Sequence, residues 1–131
     1  MDSNQDTPKN YPIRLSEAAQ QIGAKTSTVR SICSRGLIPH LKRNARGQWV
    51  LNEQQVQLLR TICMMKQADF APKEIRQFSR LYRQGDSTTK ERLAMLATKK
   101  RQLWQEIVTR QQVIDFIERQ EEVFGQNPSK M

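Results

Sequence analysis

Residues 16–39 read SEAAQQIGAKTSTVRSICSRGLIP, and this stretch decides the fold. Apolar side chains at i, i+3, i+4 and i+7 predict a short amphipathic helix around its start; they are Leu15, Ala18, Ala19 and Ile22. We expect Ser16 to cap this helix, because serine side chains accept hydrogen bonds from helix N-termini. Gly23 is expected to end it.

A second short helix follows a tight turn at residues 24–25. Val29, Ile32 and Cys33 predict its buried side, while Gly36 and Pro39 stop it. Its other face carries hydroxyls and arginines, which are Ser27, Thr28, Arg30, Ser31, Ser34 and Arg35. This pattern is typical of a helix-turn-helix whose second helix enters a DNA groove. The alternative is a pair of packed helices with a solvated polar face.

Positive charge is concentrated around this pair of helices. The chain of 131 residues has 22 basic and 13 acidic side chains, a net charge of +9. Residues 11–50 hold seven basic side chains and one acidic, a net of +6. The basic side chains are Arg14, Lys25, Arg30, Arg35, Lys42, Arg43 and Arg46. Such a field is expected where a protein binds the phosphates of double-stranded DNA.

Several other classes of function lack support in the sequence. No apolar run is long enough to cross a bilayer and no secretory signal follows Met1, so we expect a cytoplasmic protein with no membrane partner. The two cysteines and the single histidine are too few and too scattered for a zinc site. Without a nucleophile–base or metal constellation, we expect neither an enzyme nor a bound cofactor.

A small basic hairpin is predicted after the two helices. Residues 41–43 and 48–51 form two extended runs around the turn Asn44-Ala45-Arg46-Gly47. Lys42, Arg43 and Arg46 make it a candidate DNA-contacting wing. Trp49 is expected to brace the hairpin against the core, the alternative being contact with the sugar–phosphate surface.

A pair of helices comes next. Asn52 and Gln55 predict a capping box at the start of the first, and Pro72 suits the first position of the second. The predicted buried positions are Val56, Leu59, Ile62, Cys63 and Met65 on the first helix, and Ile75, Phe78, Leu81 and Tyr82 on the second.

The last helix is expected to begin at Ser87 or Thr88, the latter with Glu91 as a capping box, and to run unbroken to Gly125. Its apolar side chains recur in steps of three and four, which predicts a heptad seam. The seam comprises Leu93, Leu96, Leu103, Ile107, Ile114, Ile117 and Phe124, interrupted by Lys100, Arg110 and Glu121. We expect the seam to form a homodimer; the alternative is that it folds back on its own chain.

These patterns together predict a mainly α protein in which a winged helix-turn-helix is followed by a long coiled-coil dimerisation helix. The DNA-binding domain, including the helix pair, is predicted over residues 13–86, and the dimerisation helix over 87–124. Residues 1–12 and 125–131 are expected to be flexible tails.

The order of these elements resembles the MerR family of bacterial transcription regulators over roughly residues 13–124. Thr28-Val29-Arg30 stands where the family has TLR, and Gly36-Leu37-Ile38-Pro39 stands where it has GLIP. Residues 69–75, Asp-Phe-Ala-Pro-Lys-Glu-Ile, stand where the family has a second motif. Residues 84–88 with Glu91-Arg92 and Leu96 are similar to the small AdhR/NmlR-type branch, which responds to aldehyde or nitrosative stress.

The sequence also departs from the family's pattern. Ser31-Ile32 replaces an aromatic pair, Cys33 a glutamate, and Gln48-Trp49 the wing's usual Tyr-Arg, so we expect the DNA contacts to be partly rebuilt. Lys25 replaces a capping hydroxyl, a role we expect Thr26 to take. The branch's reactive cysteine aligns with Met64, one residue from Cys63, which makes Cys63 a candidate sensor thiol.

The resemblance implies a homodimeric regulator that distorts promoter DNA so that RNA polymerase can engage it, with an effector that the sequence does not name. Two other functions stay open. One is an unregulated DNA-bending accessory protein of the excisionase or nucleoid type. The other is a coiled-coil interaction protein whose helix-turn-helix has lost DNA binding.

Overall fold

The computed structural model describes residues 10–127. Most of the predicted tails, at residues 1–9 and 128–131, lies outside this range. In chain order the elements are β1 (Ile13–Arg14), α1 (Leu15–Ile22), α2 (Thr26–Ser34), β2 (Lys42–Arg43), β3 (Trp49–Leu51), α3 (Glu53–Gln67), α4 (Pro72–Arg83), a 3₁₀ turn (Asp86–Thr88) and α5 (Thr89–Gln126). The chain divides between Thr88 and Thr89 into two compact units.

The start of α1 differs from the prediction. The helix begins at Leu15, so Ser16 already lies within its first turn and does not cap it. Glu17 takes the capping role, since its Oε1 accepts a hydrogen bond of 3.1 Å from the backbone N–H of Arg14. The end is as predicted: Gly23 has a φ of 81°, a left-handed conformation that glycine adopts without steric cost.

Helix α2 has a weakly capped start and a well-defined end. Thr26 is its first residue and Lys25 occupies the capping position, so the expectation that Thr26 supplies the cap was wrong. Within the described part of the chain, no side chain at the capping position bonds to this helix start. The helix ends at Ser34, and the positive φ of 73° at Gly36 turns the chain away.

The wing belongs to a small antiparallel sheet with strand order β1-β3-β2. Lys42 pairs with Val50 and Arg43 with Trp49, so the predicted hairpin forms. Its register differs by one residue from that of a loop of residues 44–47, which would place Arg43 opposite Gln48, because the backbone N–H of Asn44 donates to the carbonyl of Gln48. Strand β1 adds an edge by pairing Ile13 with Leu51. A two-residue strand is too short to show an alternating pattern, which is why the sequence did not predict it.

One small core lies beneath the helix-turn-helix and the wing. Its most deeply buried large side chains come from α2, β3 and α3; they are Val29, Ile32, Leu51, Val56, Leu59 and Ile62. Ala18 and Ala19 of α1 are also buried, and their small size lets α1 and α2 approach closely. In α1, α2 and α3 the predicted apolar stripe is therefore the surface that packs.

The helix pair α3 and α4 forms largely as predicted. The Asn52 side chain accepts from the N–H of Gln55 at 2.8 Å, and the Gln55 side chain accepts from the N–H of Asn52 at 2.7 Å. Pro72 is the first residue of α4. Ile75, Phe78 and Leu81 are buried, while Tyr82 is half-buried.

Side chains from the helix pair hold the loop that leaves α2. The hydroxyl of Ser79, buried on α4, donates to the carbonyl of Leu37 at 2.6 Å. Arg83 donates to the carbonyl of Gly36, and Gln55 Nε2 donates to the carbonyl of Pro39 at 2.9 Å. Three successive points of the loop are thus tied to α3 and α4, which fixes where α2 ends.

Helix α5 has 38 residues and begins directly after Thr88, the predicted cap. The helix continues through Gly125 to Gln126. The prediction that it breaks at Gly125 was therefore wrong, and Gly125 and Gln126 belong to the helix and not to a flexible tail. Glycine lowers helix stability by only about 1 kcal/mol, which a long helix tolerates near its end. Among residues 10–127, every helix is too short or too polar to cross a bilayer.

We predict that Asn52→Ala lowers the free energy of unfolding by about 1 kcal/mol, since the capping acceptor is lost. The thermal midpoint should fall by about 4–8 °C for a unit of this size. Thermal unfolding at one fixed protein concentration measures both. Asn52→Asp retains the acceptor and is the control; an equal loss in both variants would contradict a capping role.

Candidate nucleic-acid interface

The outward face of α2 presents most of the side chains predicted to contact DNA. Ser27, Arg30, Ser34 and Arg35 are exposed, and Thr28 and Ser31 are half-buried. The opposite face, with Val29 and Ile32, is buried against the core. A helix anchored by one apolar side and free on its polar side has the geometry needed to enter a major groove.

The cations of this region differ in how far they are neutralised. Arg14 Nε lies 3.1 Å from Glu17 Oε1, and both side chains are about half exposed. Such an ion pair contributes about 0.2–1 kcal/mol, but it offsets the charge of Arg14. The remaining six have no ion-pair partner among residues 10–127 and carry their charge to the surface: Lys25, Arg30, Arg35, Lys42, Arg43 and Arg46.

Asn44 organises the turn of the wing. Its Oδ1 accepts hydrogen bonds of 3.0 Å from the N–H groups of Arg46 and Gln48. Gly47, with a φ of 77°, closes the turn by donating to the carbonyl of Asn44 at 2.9 Å. These bonds hold the exposed Arg46 at the tip of the hairpin.

Arg43 and Trp49 form a pair across the hairpin. The guanidinium carbon of Arg43 lies 4.5 Å from the centroid of the half-buried Trp49 ring, and Nη1 donates to the carbonyl of Gly47 at 2.7 Å. A cation over an indole face is attracted by about 0.5–1 kcal/mol at an exposed site. Trp49 therefore braces Arg43 and leaves the other guanidinium N–H groups available to a phosphate.

The pairing of Arg43 with Trp49 was not predicted from the sequence. The predicted turn of residues 44–47 would place Arg43 opposite Gln48, whereas the observed register places Arg43 opposite Trp49, where the two side chains are neighbours. The hydrogen bonds of Ser79 and Arg83 to the loop after α2 were also missed. Nothing local in the sequence links residues that lie more than 40 positions apart.

The two cysteines are buried where α2 packs on α3. Cys33 is 4% exposed and Cys63 is 8% exposed, whereas the neighbouring Met64 is 58% exposed. Burial, followed by the nearby Cys63 thiol, raises the pKa of Cys33 to about 11, with Arg30 opposing the rise. Burial also raises the pKa of Cys63, against the opposing charges of Lys66 and Arg60. Both environments favour the protonated thiol.

In the part of the chain that the structure describes, no group of three or more His, Cys, Asp or Glu side chains is placed so that it could hold a metal ion.

The model of the MerR HTH family of regulatory proteins matches residues 13–81, which span β1 to α4. The chain belongs to the MerR family. It is accordingly a transcription regulator of that family, and the winged helix-turn-helix described above is the part that carries the match.

Individual members extend the similarity beyond the winged helix-turn-helix. An HTH-type transcriptional regulator of Haemophilus influenzae is 26% identical over 102 residues, covering 78% of this chain and 76% of that protein. AdhR of Bacillus subtilis is 26% identical over 91 residues, covering 70% of this chain and 65% of AdhR.

A solved structure of HiNmlR, a MerR family regulator lacking the sensor domain and bound to promoter DNA, superposes with a TM-score of 0.69. It is 22% identical to this chain, and the match covers 90% of this chain and 94% of HiNmlR. At this identity the likeness establishes the shared fold.

We predict that both thiols of the native protein react slowly with iodoacetamide at pH 8. Raising a pKa from 9.0 to about 11, as at Cys33, lowers the thiolate fraction at this pH about 100-fold. The folded state then binds more protons than the unfolded state between about pH 9 and 11, so stability should fall as the pH rises through this range. Mass spectrometry of labelled peptides and unfolding curves measure the two effects.

Cys33→Ser and Cys63→Ser assign the labelling to single thiols, and the denatured protein gives the unprotected rate. Fast labelling of native Cys63, together with loss of an aldehyde response in Cys63→Ser in a transcription assay, would instead identify a sensor thiol.

Proposed function

We propose that this regulator is a homodimer that binds an inverted repeat in promoter DNA and distorts it so that RNA polymerase can engage the promoter. The observation that carries the proposal is that one chain has both surfaces that such a dimer needs. The first is the cationic surface of α2 and the wing, and the second is the exposed apolar face of α5. Since promoter DNA is its partner, we place the protein in the cytoplasm. No catalytic step is required.

The cationic surface of α2 and the wing supports DNA binding. Arg30 on α2 is positioned to face a groove, while Lys42, Arg43 and Arg46 on the wing flank it at the phosphates. Each phosphate contact releases condensed counterions and so adds to affinity in low salt. The solved HiNmlR complex with promoter DNA supports the same use of this fold.

The apolar face of α5 supports dimerisation. Large apolar side chains along the helix are between 37% and 61% exposed in the single chain, and they include Leu93, Leu96, Leu103, Trp104, Ile107, Ile114 and Ile117. The helix is about 57 Å long at 1.5 Å per residue. A second copy of α5 would bury this face and set the distance between two copies of α2.

Two DNA-binding domains joined by two packed copies of α5 could hold both half-sites at once and so deform the DNA between them. Bending a site of 20–30 base pairs costs on the order of 1–10 kcal/mol, which several phosphate contacts at each half-site can offset. The function therefore depends on both the cationic surface and the dimer.

We predict that alanine at Arg30, Lys42 or Arg43 weakens binding to all duplexes alike. Each substitution removes one phosphate contact from each of the two protomers, so it should reduce the salt slope by about two units. Gel-shift titrations at several salt concentrations, using a duplex from the protein's own promoter, measure the slope. For Ser27→Ala and Ser31→Ala we expect an altered sequence preference with an unchanged slope.

Arg80→Ala is the matched control, because Arg80 is exposed on α4 and belongs neither to α2 nor to the wing. If all three variants keep the wild-type slope, the phosphate contacts lie elsewhere.

We predict that Ile107→Asp combined with Ile114→Asp yields a monomer in light scattering and abolishes duplex binding. Charges at the centre of a seam lose their hydration, and Arg110, the cation between these two positions, cannot neutralise both aspartates. The change should not alter the helix-turn-helix, which circular dichroism and thermal unfolding can verify.

Gln105→Asp combined with Gln112→Asp introduces the same charges at the same spacing on the outer side of the heptad, and this control should stay dimeric. A monomer in both variants would point to charge repulsion along α5 and not to the proposed seam.

A further inference from the structure

A cavity of about 480 Å³ opens where the end of α2 meets the α3–α4 corner. Buried side chains of Ile32, Phe70 and Ile75 contribute its apolar walls. Three exposed cations also line it, one from each helix: Arg35 from α2, Lys66 from α3 and Arg76 from α4. Its size falls within the range of small-molecule sites, about 300–1,000 Å³.

The charges around this cavity are one-sided. No carboxylate lines it, and the side chains of Arg35, Lys66 and Arg76 have no ion-pair or hydrogen-bond partner among residues 10–127. Like charges that line one cavity repel each other, and an anion placed between them relieves that repulsion. The cavity therefore favours a negatively charged ligand.

The apolar walls narrow the choice of anion. A free phosphate or a phosphate of the DNA backbone would contact the cations but would have no apolar part to place against the apolar walls of the cavity. A molecule with an acidic group and an apolar body satisfies both parts of the cavity, because burial of its hydrocarbon against the apolar walls also favours binding.

We propose that this cavity binds a small organic anion with an aliphatic or aromatic body, and that its occupation lowers the affinity for DNA. The second effect follows because Arg35 belongs to both the cavity and the candidate DNA surface. That part rests on the proposed function, whereas binding of the anion does not.

Fluorescence titration of the full-length protein without DNA tests the binding. The probe is 8-anilinonaphthalene-1-sulfonate, and N-phenyl-1-naphthylamine is its neutral counterpart. We expect saturable binding of the sulfonate, one per chain, and at least about tenfold weaker binding of the neutral molecule. An exposed apolar face elsewhere, such as that of α5, would bind both alike.

A matched pair of double variants locates the site. Lys66→Gln with Arg76→Gln should weaken sulfonate binding about tenfold, since two charge-assisted contacts are lost. Lys73→Gln with Arg80→Gln removes the same charges from exposed positions that do not line the cavity, and it should change the Kd less than twofold. Equal weakening in both pairs, or no effect of the first, overturns the proposal. Thermal unfolding checks that each double variant is folded. If Lys66→Gln with Arg76→Gln does not fold, the sulfonate titration is made with Arg76→Gln alone.

Gel shifts with a duplex from the protein's own promoter test the consequence for DNA. The sulfonate should weaken duplex binding by the wild type but not by Lys66→Gln with Arg76→Gln. If that variant flattens the salt slope while sulfonate binding stays unchanged, the cations serve DNA and the proposal is wrong. If the sulfonate binds as expected but no duplex does, the proposed function fails and the anion site stands.

Discussion

The placement of the recognition helix α2 depends on three backbone carbonyls in the loop that follows it. The bonds to the carbonyls of Leu37 and Pro39 are partly buried, and a carbonyl withdrawn from water without a donor costs about 1–3 kcal/mol. The bond to the carbonyl of the exposed Gly36 adds a third point of attachment. Ser79, Arg83 and Gln55 supply the donors from α4 and α3. The helix pair therefore acts as a fixed support against which the end of α2 is aligned, and the wing and core pack around that arrangement.

Features whose cause is local were predictable from the sequence. The capping box of Asn52 and Gln55, the first position of Pro72 and the left-handed Gly23 each depend on residues a few positions apart, and all three occur as expected. The predicted start of α1 was wrong because two residues, Ser16 and Glu17, could each supply the capping side chain. Glu17 bonds to the N–H of Arg14, which moves the start ahead of Ser16 and lets Arg14 also pair with Val50 in the sheet.

Features that join distant parts of the chain were not predictable in the same way. Ser79 is separated from Leu37 by 42 positions, and a serine on a helix carries no sequence signal for a carbonyl partner so far away. The candidate DNA-contacting residues could be selected by charge and by face. Which of them pair internally, as Arg14 does with Glu17 and Arg43 with Trp49, depends on packing. The apolar stripe along α5 was predictable from its steps of three and four, and its side chains are exposed in the single chain. What the stripe binds depends on chemistry outside that chain.

The stacking of Arg43 on Trp49 has a thermodynamic consequence for any phosphate that reaches the wing. A free arginine side chain loses up to about 2 kcal/mol of rotamer entropy when it is immobilised. Because Trp49 and the carbonyl of Gly47 already restrict this guanidinium, most of that loss has occurred during folding. Contact at this point of the wing should therefore carry a smaller entropic penalty than contact by the unrestrained Lys42 beside it.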